Sequence, residues 1–250
     1  MSLRALPLGV GDAFSNRFYS SAVAVETGGR WLLFDCPHPL RKMMREASSA
    51  AALDPPLDIG SLDGVILSHL HADHASGLEG LGYFARFLLG RKATLVIHPD
   101  VLAHLWDGHL RAGMEHLKLA PFADPIKLGL ADYFDIKHLD FENPVEVGPF
   151  RVEARPTIHH IPTTAVRIHG GGRTLGLSAD TYFDESLIHW LAESDLFFHE
   201  TNHGIHTPYE MLAALPAEVR KKMRLIHYPD DFDVAGSSIE VLEQGRVYEV

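Results

Sequence analysis

Residues 68–74 read Ser-His-Leu-His-Ala-Asp-His and directly follow a short apolar run, Gly-Val-Ile-Leu. The stretch places three imidazoles and one carboxylate within six positions, a ligand set that suits divalent zinc, manganese or iron. At a turn from a strand into a helix, the first two histidines project to one side, and Asp73 and His74 approach from another. This geometry serves two adjacent metal ions better than one.

A chance cluster and a purely structural metal site are the two alternatives to a catalytic centre. The chain has 17 histidines among 250 residues, and at that frequency roughly 0.005 copies of the His-x-His-x-Asp-His pattern are expected by accident. Closed structural zinc sites favour cysteine ligands, and the chain has a single cysteine, Cys36. The motif therefore favours a catalytic metal centre.

Short apolar and often β-branched runs recur along the chain and predict buried strands. These runs lie at 22–25, 31–34, 64–67, 94–97, 150–158, 164–169, 173–177, 195–198 and 224–226. Segments with helical periodicity alternate with them, at 38–50, 74–89, 100–118, 184–193 and 207–222. Strands and helices mixed in this way predict layered α and β packing in one domain.

Six of the apolar runs are followed within three positions by a side chain that can bind a metal or move a proton. These residues are Asp35, His69, His159, Asp180, His199 and His227. Ligand sites in α/β sheets gather beyond the carboxyl ends of strands, so the pattern points to one shared site. His98 follows the run at 94–97 and fits the pattern equally well.

The histidine motif, together with Leu-Leu-Phe-Asp-Cys at 32–36, resembles the metallo-β-lactamase superfamily of dinuclear hydrolases. Further motifs of that family have counterparts in the same order: a segment reaching His159, Ser-Ala-Asp-Thr at 178–181 with Ala in place of the usual Gly, and Leu-Ile-His at 225–227. The resemblance implies an α/β fold, a four-layered αββα sandwich, as a single hydrolase domain over 1–250. Residues of about 80–149 are expected to form helices and a lid.

The resemblance also implies two metal sites that share one bridging carboxylate. One metal would be held by His69, His71 and His159, the other by Asp73, His74 and His227, with Asp180 between them. His160 competes with His159, which is preferred because it stands in register with the family pattern. Asp35 is expected to orient a ligand histidine through its second ring nitrogen. Two divalent cations are implied, zinc first, with manganese, iron or nickel as alternatives.

Within the superfamily, the chain is similar to the branch of tRNA 3′-processing ribonucleases and phosphodiesterases. Phe-His-Glu-Thr-Asn at 198–202 resembles the His-Glu-Ala-Thr element of that branch. This likeness implies catalytic roles for His199 and Glu200 beside Asp73, with His199 protonating the departing oxygen. A structural role is the alternative for His199.

The charge balance bears on the substrate. Lys and Arg total 22 against 33 Asp and Glu, a formal net charge of 22 − 33 = −11, whereas binding a long polynucleotide requires many basic contacts to phosphates. We therefore expect a metal-dependent hydrolase of a small anionic phosphodiester such as a cyclic nucleotide, with nucleic acid not a partner. The alternatives are a hydrolase of carboxylic esters, lactones or thioesters on the same centre, a tRNA 3′-processing endonuclease and a non-catalytic metal-binding scaffold.

The remaining expectations concern location and assembly. No apolar run approaches the roughly 18 residues that span a bilayer, and Pro7, Gly9 and Gly11 interrupt the start before a signal-peptide core develops. The lone Cys36 cannot form an intrachain disulfide. We expect a cytoplasmic protein with no membrane partner, and the family resemblance adds a homodimer.

Overall fold

The structure is a computed structural model that describes residues 2–250. Strands and helices alternate along the chain. The strands are β1 Arg4–Gly9, β2 Ala22–Thr27, β3 Arg30–Phe34, β4 Leu62–Leu67, β5 Ala93–Ile97, β6 His116–Leu117, β7 Ile126–Lys127, β8 Phe134–His138, β9 Val145–Val147, β10 Phe150–Pro156, β11 Thr164–Gly170, β12 Arg173–Leu177, β13 Leu196–Glu200, β14 Met223–Ile226 and β15 Tyr248–Glu249. The helices are α1 Leu40–Ala50, α2 Ala72–Ala75, α3 Leu78–Leu88, α4 Pro99–Leu105, α5 Arg111–Met114, α6 Glu185–Ala192, α7 Tyr209–Ala213 and α8 Ala217–Lys222.

Most strands belong to two sheets. The first sheet has seven strands in the order β15-β1-β2-β3-β4-β5-β8, and the second has six in the order β14-β13-β12-β11-β10-β9. Strands β3, β4, β5 and β8 run parallel, as do β12, β13 and β14. The carboxyl ends of parallel neighbours share one edge of a sheet, so the polar residues that follow these strands are brought together.

Buried apolar side chains form two cores on either side of the first sheet. Leu32 and Phe34 of β3 face the second sheet, whereas Leu33 between them faces Met43 of α1 and Leu81 of α3. Successive side chains of a strand point to opposite faces, which explains this division. Helix α6 covers the outer face of the second sheet. The layers are therefore helix, sheet, sheet, helix, which confirms the predicted αββα sandwich.

The helix predicted over 74–89 is divided in the structure. Helix α2 ends at Ala75, and α3 begins at Leu78. At the break, the Gly77 N–H donates a hydrogen bond to the Cys36 carbonyl at 2.7 Å, and a Cβ on Gly77 would lie 2.7 Å from that same oxygen. This close approach requires glycine and redirects the chain.

The segment of about 80–149 is more than a cover for the sandwich. It supplies β5 and β8 to the first sheet, and its β6–β7 hairpin ends in the fully exposed Phe122. A lid function for this segment stays a prediction. Within residues 2–250, no helix combines the length and the apolar character needed to cross a bilayer.

Candidate metal centre

The structure brings together all the side chains that the sequence predicted as metal ligands. They come from the turn after β4, the loop after β10, the turn after β12 and the end of β14. Their ligand atoms form two groups, each with all atoms within 4.8 Å of one another: His69, His71, His159 and Asp180 in one, and Asp73, His74 and His227 in the other.

Three imidazole nitrogens converge in the first group. His71 Nδ1 lies 3.0 Å from His69 Nε2 and 3.2 Å from His159 Nε2. A ring nitrogen holds either one proton or one lone pair, so three converging nitrogens suit a shared cation better than hydrogen bonds among themselves. Asp180 Oδ2 faces this group, 3.6 Å from His69 Nε2.

The second group contains buried polar atoms without hydrogen bonds. His74 Nε2 lies 3.2 Å from Asp180 Oδ1, yet neither atom is aligned for a hydrogen bond with any group among residues 2–250. Such atoms are costly to bury unless something else satisfies them. A cation would satisfy both. Asp73 Oδ2 lies 3.2 Å from both His74 Nε2 and His227 Nε2.

The donor chemistry therefore fits divalent metal binding, because neutral imidazole and carboxylate are common ligands for such ions. Asp180 turns one oxygen toward each group, as a bridging ligand would. The competing candidate, His160, contacts the opposite ring nitrogen of His71, with Nε2 to Nε2 at 3.0 Å, and is exposed. His159 is the one whose ring joins the cluster.

Asp35 and Ser68 hold two of the histidines in place from behind. Asp35 Oδ2 accepts a hydrogen bond from His74 Nδ1 at 2.7 Å, which leaves Nε2 of that ring facing the cluster. Ser68 donates its N–H to Asp35 Oδ1 at 2.8 Å, and its hydroxyl lies 2.9 Å from both Asp35 Oδ2 and His69 Nδ1. Partners of this kind fix the tautomer and orientation of metal-binding imidazoles.

Three residues of the site adopt a left-handed backbone conformation that is uncommon for residues with a side chain. The φ angles are 63° at Asp35, 53° at Ala179 and 58° at His227. Each lies within two residues of the end of a strand, where the chain turns and aims a side chain at the cluster. Ala179 stands where the resembling motif has Gly, so this chain retains strain at a site that glycine would relieve.

Burial and charge divide the histidines into two kinds. Burial, aided by the neighbouring His74 imidazole, lowers the pKa of His69 well below its usual range, and burial lowers the pKa of His159 to about 4. Burial would also lower the pKa of His74, but the carboxylates of Asp180 and Asp35 outweigh it and raise that pKa. His69 and His159 thus keep the neutral form in which imidazole binds a metal.

The structure corrects the role predicted for His199. Successive residues of β13 face opposite sides of the sheet, and Glu200 faces the cluster. The ring of His199 is therefore directed away, toward the layer where Asp184 begins α6. It is fully buried, and its Nδ1 contacts the Glu200 carbonyl at 2.7 Å. His199 does not reach the metal cluster and is not a proton donor to a substrate there.

His206, which the sequence interpretation missed, lies beside the cluster and pairs with Glu200. Its Nδ1 is 2.9 Å and 3.1 Å from the two carboxylate oxygens of Glu200 and 3.9 Å from Asp180 Oδ2. Its side chain is 17% exposed, so a substrate can reach it. Glu200 is completely buried and also accepts the Thr181 N–H, and burial, with the nearby Asp180 charge, raises the pKa of its carboxyl.

The sequence contained only a weak signal for His206. A carboxylate at 200 is followed by histidines at both 203 and 206, and nothing local distinguishes them. The loop turns back only because Asn202 N–H bonds the Thr207 carbonyl and Thr207 Oγ1 bonds the Thr181 carbonyl. These contacts bring His206 inward and leave His203 exposed.

The αββα fold and the two ligand groups define a hydrolase of the metallo-β-lactamase kind that depends on divalent metal. The family model described as anti-Pycsar protein Apyc1 matches residues 3–248, and the chain belongs to this family. The anti-Pycsar protein Apyc1 of Bacillus phage 010DV004 is 32% identical over 259 residues, which cover 96% of both chains.

Solved structures show the same fold at lower identity. The metallo-β-lactamase fold protein YhfI from Bacillus subtilis aligns over 100% of both chains with a TM-score of 0.75 and 20% identity. The short form of human tRNase Z aligns over 98% of both chains with a TM-score of 0.70 and 19% identity. Both share the overall fold of this chain over nearly its full length.

Proposed function

We propose that the protein hydrolyses a small phosphodiester, and specifically a cyclic nucleotide. The observation that carries this proposal is the His206–Glu200 pair beside the ligand cluster. An imidazole oriented by a buried carboxylate can donate a proton to the oxygen that leaves phosphorus. Hydrolysis of a lactone or thioester on the same centre is the competing function.

Two metal ions would be held as the sequence resemblance implies. Zinc is the first choice, and manganese, iron or nickel are the alternatives. The ligands would be His69, His71 and His159 for one ion, Asp73, His74 and His227 for the other, and Asp180 for both. Divalent cations bound there supply hydroxide from water near neutral pH and neutralise the charge on phosphodiester oxygens.

The chain's own contribution is the proton. Glu200 accepts the hydrogen bond from His206 Nδ1, so the second ring nitrogen, Nε2, is the one free to face a substrate. When the phosphorus–oxygen bond breaks, Nε2–H gives its proton to the departing alkoxide, and Glu200 stabilises the charged imidazole until that transfer. The buried Glu200 holds the ring in one orientation.

The loop that carries His206 also borders an acidic surface. A pocket of about 370 Å³ next to this loop is lined by acidic side chains, including Glu210, Asp231 and Asp233. Such a surface repels the successive phosphates of a polynucleotide, whose binding depends on lysine and arginine contacts. The tRNA-processing alternative is correspondingly disfavoured. The homodimer and the cytoplasmic location expected above stay predictions.

The proton transfer is tested with two kinds of leaving group. In zinc- or manganese-loaded protein, His206→Asn should lower kcat for 2′,3′- or 3′,5′-cyclic nucleotides by roughly 10²- to 10⁴-fold. The same change should affect bis-p-nitrophenyl phosphate far less, because nitrophenolate leaves without a proton. His189→Asn, an exposed histidine on α6 away from the cluster, is the matched control and should leave both rates unchanged.

Two results would contradict the proposal in different ways. Equal losses on both leaving groups would remove His206 from proton transfer. Resistance of every phosphodiester to the metal-loaded wild type, with cleavage of a lactone or thioester, would assign the protein to the competing function.

A further inference from the structure

A second pocket, of about 260 Å³, adjoins the metal cluster on the side of the first sheet. Its walls come from the start of α4, the loop between β8 and β9, and the loop between β10 and β11. His159 and His160 lie at one end, and His98 and Phe141 form an aromatic wall. Because His159 also belongs to the ligand cluster, a molecule bound at the cluster can extend directly into this pocket.

The aromatic wall is built from two parallel rings. The ring centroids of His98 and Phe141 are 3.9 Å apart, and the ring planes differ by 9°. His98 Nδ1 accepts the Asp100 N–H at 3.2 Å, which fixes the imidazole at the N-cap of α4. Phe141 is 39% exposed. His98 thus holds in place an aromatic ring that is itself open to a ligand.

The lining shows which part of a ligand would enter. Asp100 is the one carboxylate in the lining; apart from it and the histidines the wall is uncharged, with Val101, Ile161 and three threonines among its members. Within the described residues, the lining contains no lysine or arginine, so the pocket lacks the side chains that most often bind a second phosphate. Its volume is slightly below the roughly 300–1,000 Å³ usual for small-molecule sites, a size suited to a single ring system.

We propose that this pocket receives the nucleobase of the substrate, which stacks on Phe141, and that His98 is a positioning residue for that ring. The inference rests on the proposed function, since it assumes that a phosphodiester occupies the cluster. A flat uncharged heterocycle joined to a phosphate matches a pocket with an aromatic wall joined to a cation site. The same arrangement makes Phe141 a determinant of specificity for nucleotides over simple phosphodiesters.

The test compares a cyclic nucleotide with ribose 3′,5′-cyclic phosphate, which lacks the base. Phe141→Ala should lower kcat/KM for the cyclic nucleotide roughly 5- to 150-fold, the range expected for base stacking on an aromatic side chain, mainly through KM. The abasic substrate should be unaffected. Phe141→Tyr should restore the preference, because it keeps the ring.

Two further variants distinguish the effect of the aromatic wall on substrate preference from general effects on activity. His98→Asn keeps an N-cap side chain but removes the ring under Phe141, so it should cause a smaller loss in the same direction. Phe87→Ala removes a phenylalanine of similar exposure, 46%, from α3, and should leave both substrates unchanged. Equal losses on the two substrates in Phe141→Ala, or no loss on either, would overturn the proposal.

Equilibrium binding separates failure of the pocket from failure of the function. Calorimetry would compare a nucleoside 5′-monophosphate with ribose 5-phosphate on wild type and Phe141→Ala. If wild type cleaves no phosphodiester yet prefers the base-bearing ligand through Phe141, the function is wrong and the pocket stands. If wild type shows no such preference, or Phe141→Ala retains it, the pocket assignment is overturned.

Discussion

The buried ring of His199 should make the protein sensitive to acid, and His199→Asn should reduce that sensitivity. His199 Nδ1–H donates to the Glu200 carbonyl, and Nε2 has no hydrogen-bond partner within residues 2–250. A second proton on this ring would therefore be buried without an acceptor. An asparagine amide can supply the same donor to the carbonyl and does not titrate.

The magnitude follows from the pKa. Burial lowers the pKa of His199 to about 4, whereas histidine in an unfolded chain titrates near 6.5. Because the folded value is the lower one, the unfolded chain takes up the proton first as the pH falls. The contribution is complete above about pH 6.5 and is lost toward pH 4. It amounts to about 3 kcal/mol in total, of which about 2.5 kcal/mol disappears between about pH 7.5 and pH 4.5.

Urea unfolding at a series of pH values measures this difference. The free energy of unfolding of His199→Asn should fall by about 2.5 kcal/mol less than that of wild type between about pH 7.5 and pH 4.5. Losses that wild type and His199→Asn share, including metal release in acid, cancel in the comparison. His189→Asn, an exposed position on α6, is the matched control and should follow wild type. If His199→Asn also follows wild type, the ring is not held neutral by burial.

Three further changes test the site and the core. Asp35→Asn weakens the hydrogen bond that orients His74 and should lower metal affinity roughly 10- to 100-fold in competition with a chromophoric chelator; unchanged affinity would remove Asp35 from this role. Ala179→Gly relieves a φ of 53° and should stabilise the fold by about 0.5 kcal/mol, the left-handed cost less the entropy of glycine, so a lower urea midpoint would contradict the strain. Gly176→Ala places a Cβ 2.9 Å from Leu191 Cδ2 and should destabilise by about 1–3 kcal/mol; an unchanged melting temperature would show that α6 can move away.

The predicted ligands were readable from the sequence because each follows an apolar run closely. Such runs become buried strands, and the carboxyl ends of parallel strands share an edge within each sheet. The two sheets stack with these edges together, so His69 from the first sheet meets Asp180 and His227 from the second. The local pattern was enough to predict these ligands because the pairing of strands in the sheets brings distant residues together. The same reasoning singled out His98, which lies at that edge but lines the neighbouring pocket instead of the cluster.

What the sequence did not reveal depends on contacts between distant segments. The division of the helix at Gly77 arises from the Cys36 carbonyl, about forty residues earlier in the chain. The position of His206 arises from a loop tied to Thr181 through Thr207. Neither leaves a periodicity or a spacing to detect. His199 was mistaken for the proton donor because adjacency to Glu200 in sequence means opposition across a strand.

Because His199 and Glu200 face opposite sides of β13, this strand carries two separate properties. Glu200 faces the cluster and holds His206 at 2.9 Å, whereas His199 is buried on the other face and contacts only the backbone of its neighbour. A change at one face should therefore leave the other property intact. His206→Asn should lower turnover, whereas His199→Asn should reduce the acid sensitivity of unfolding and leave turnover at neutral pH unchanged. His199 and Glu200 are neighbours on β13, and Glu200 contacts His206. Loss of turnover in His199→Asn at neutral pH would therefore mean that β13 transmits the change to Glu200.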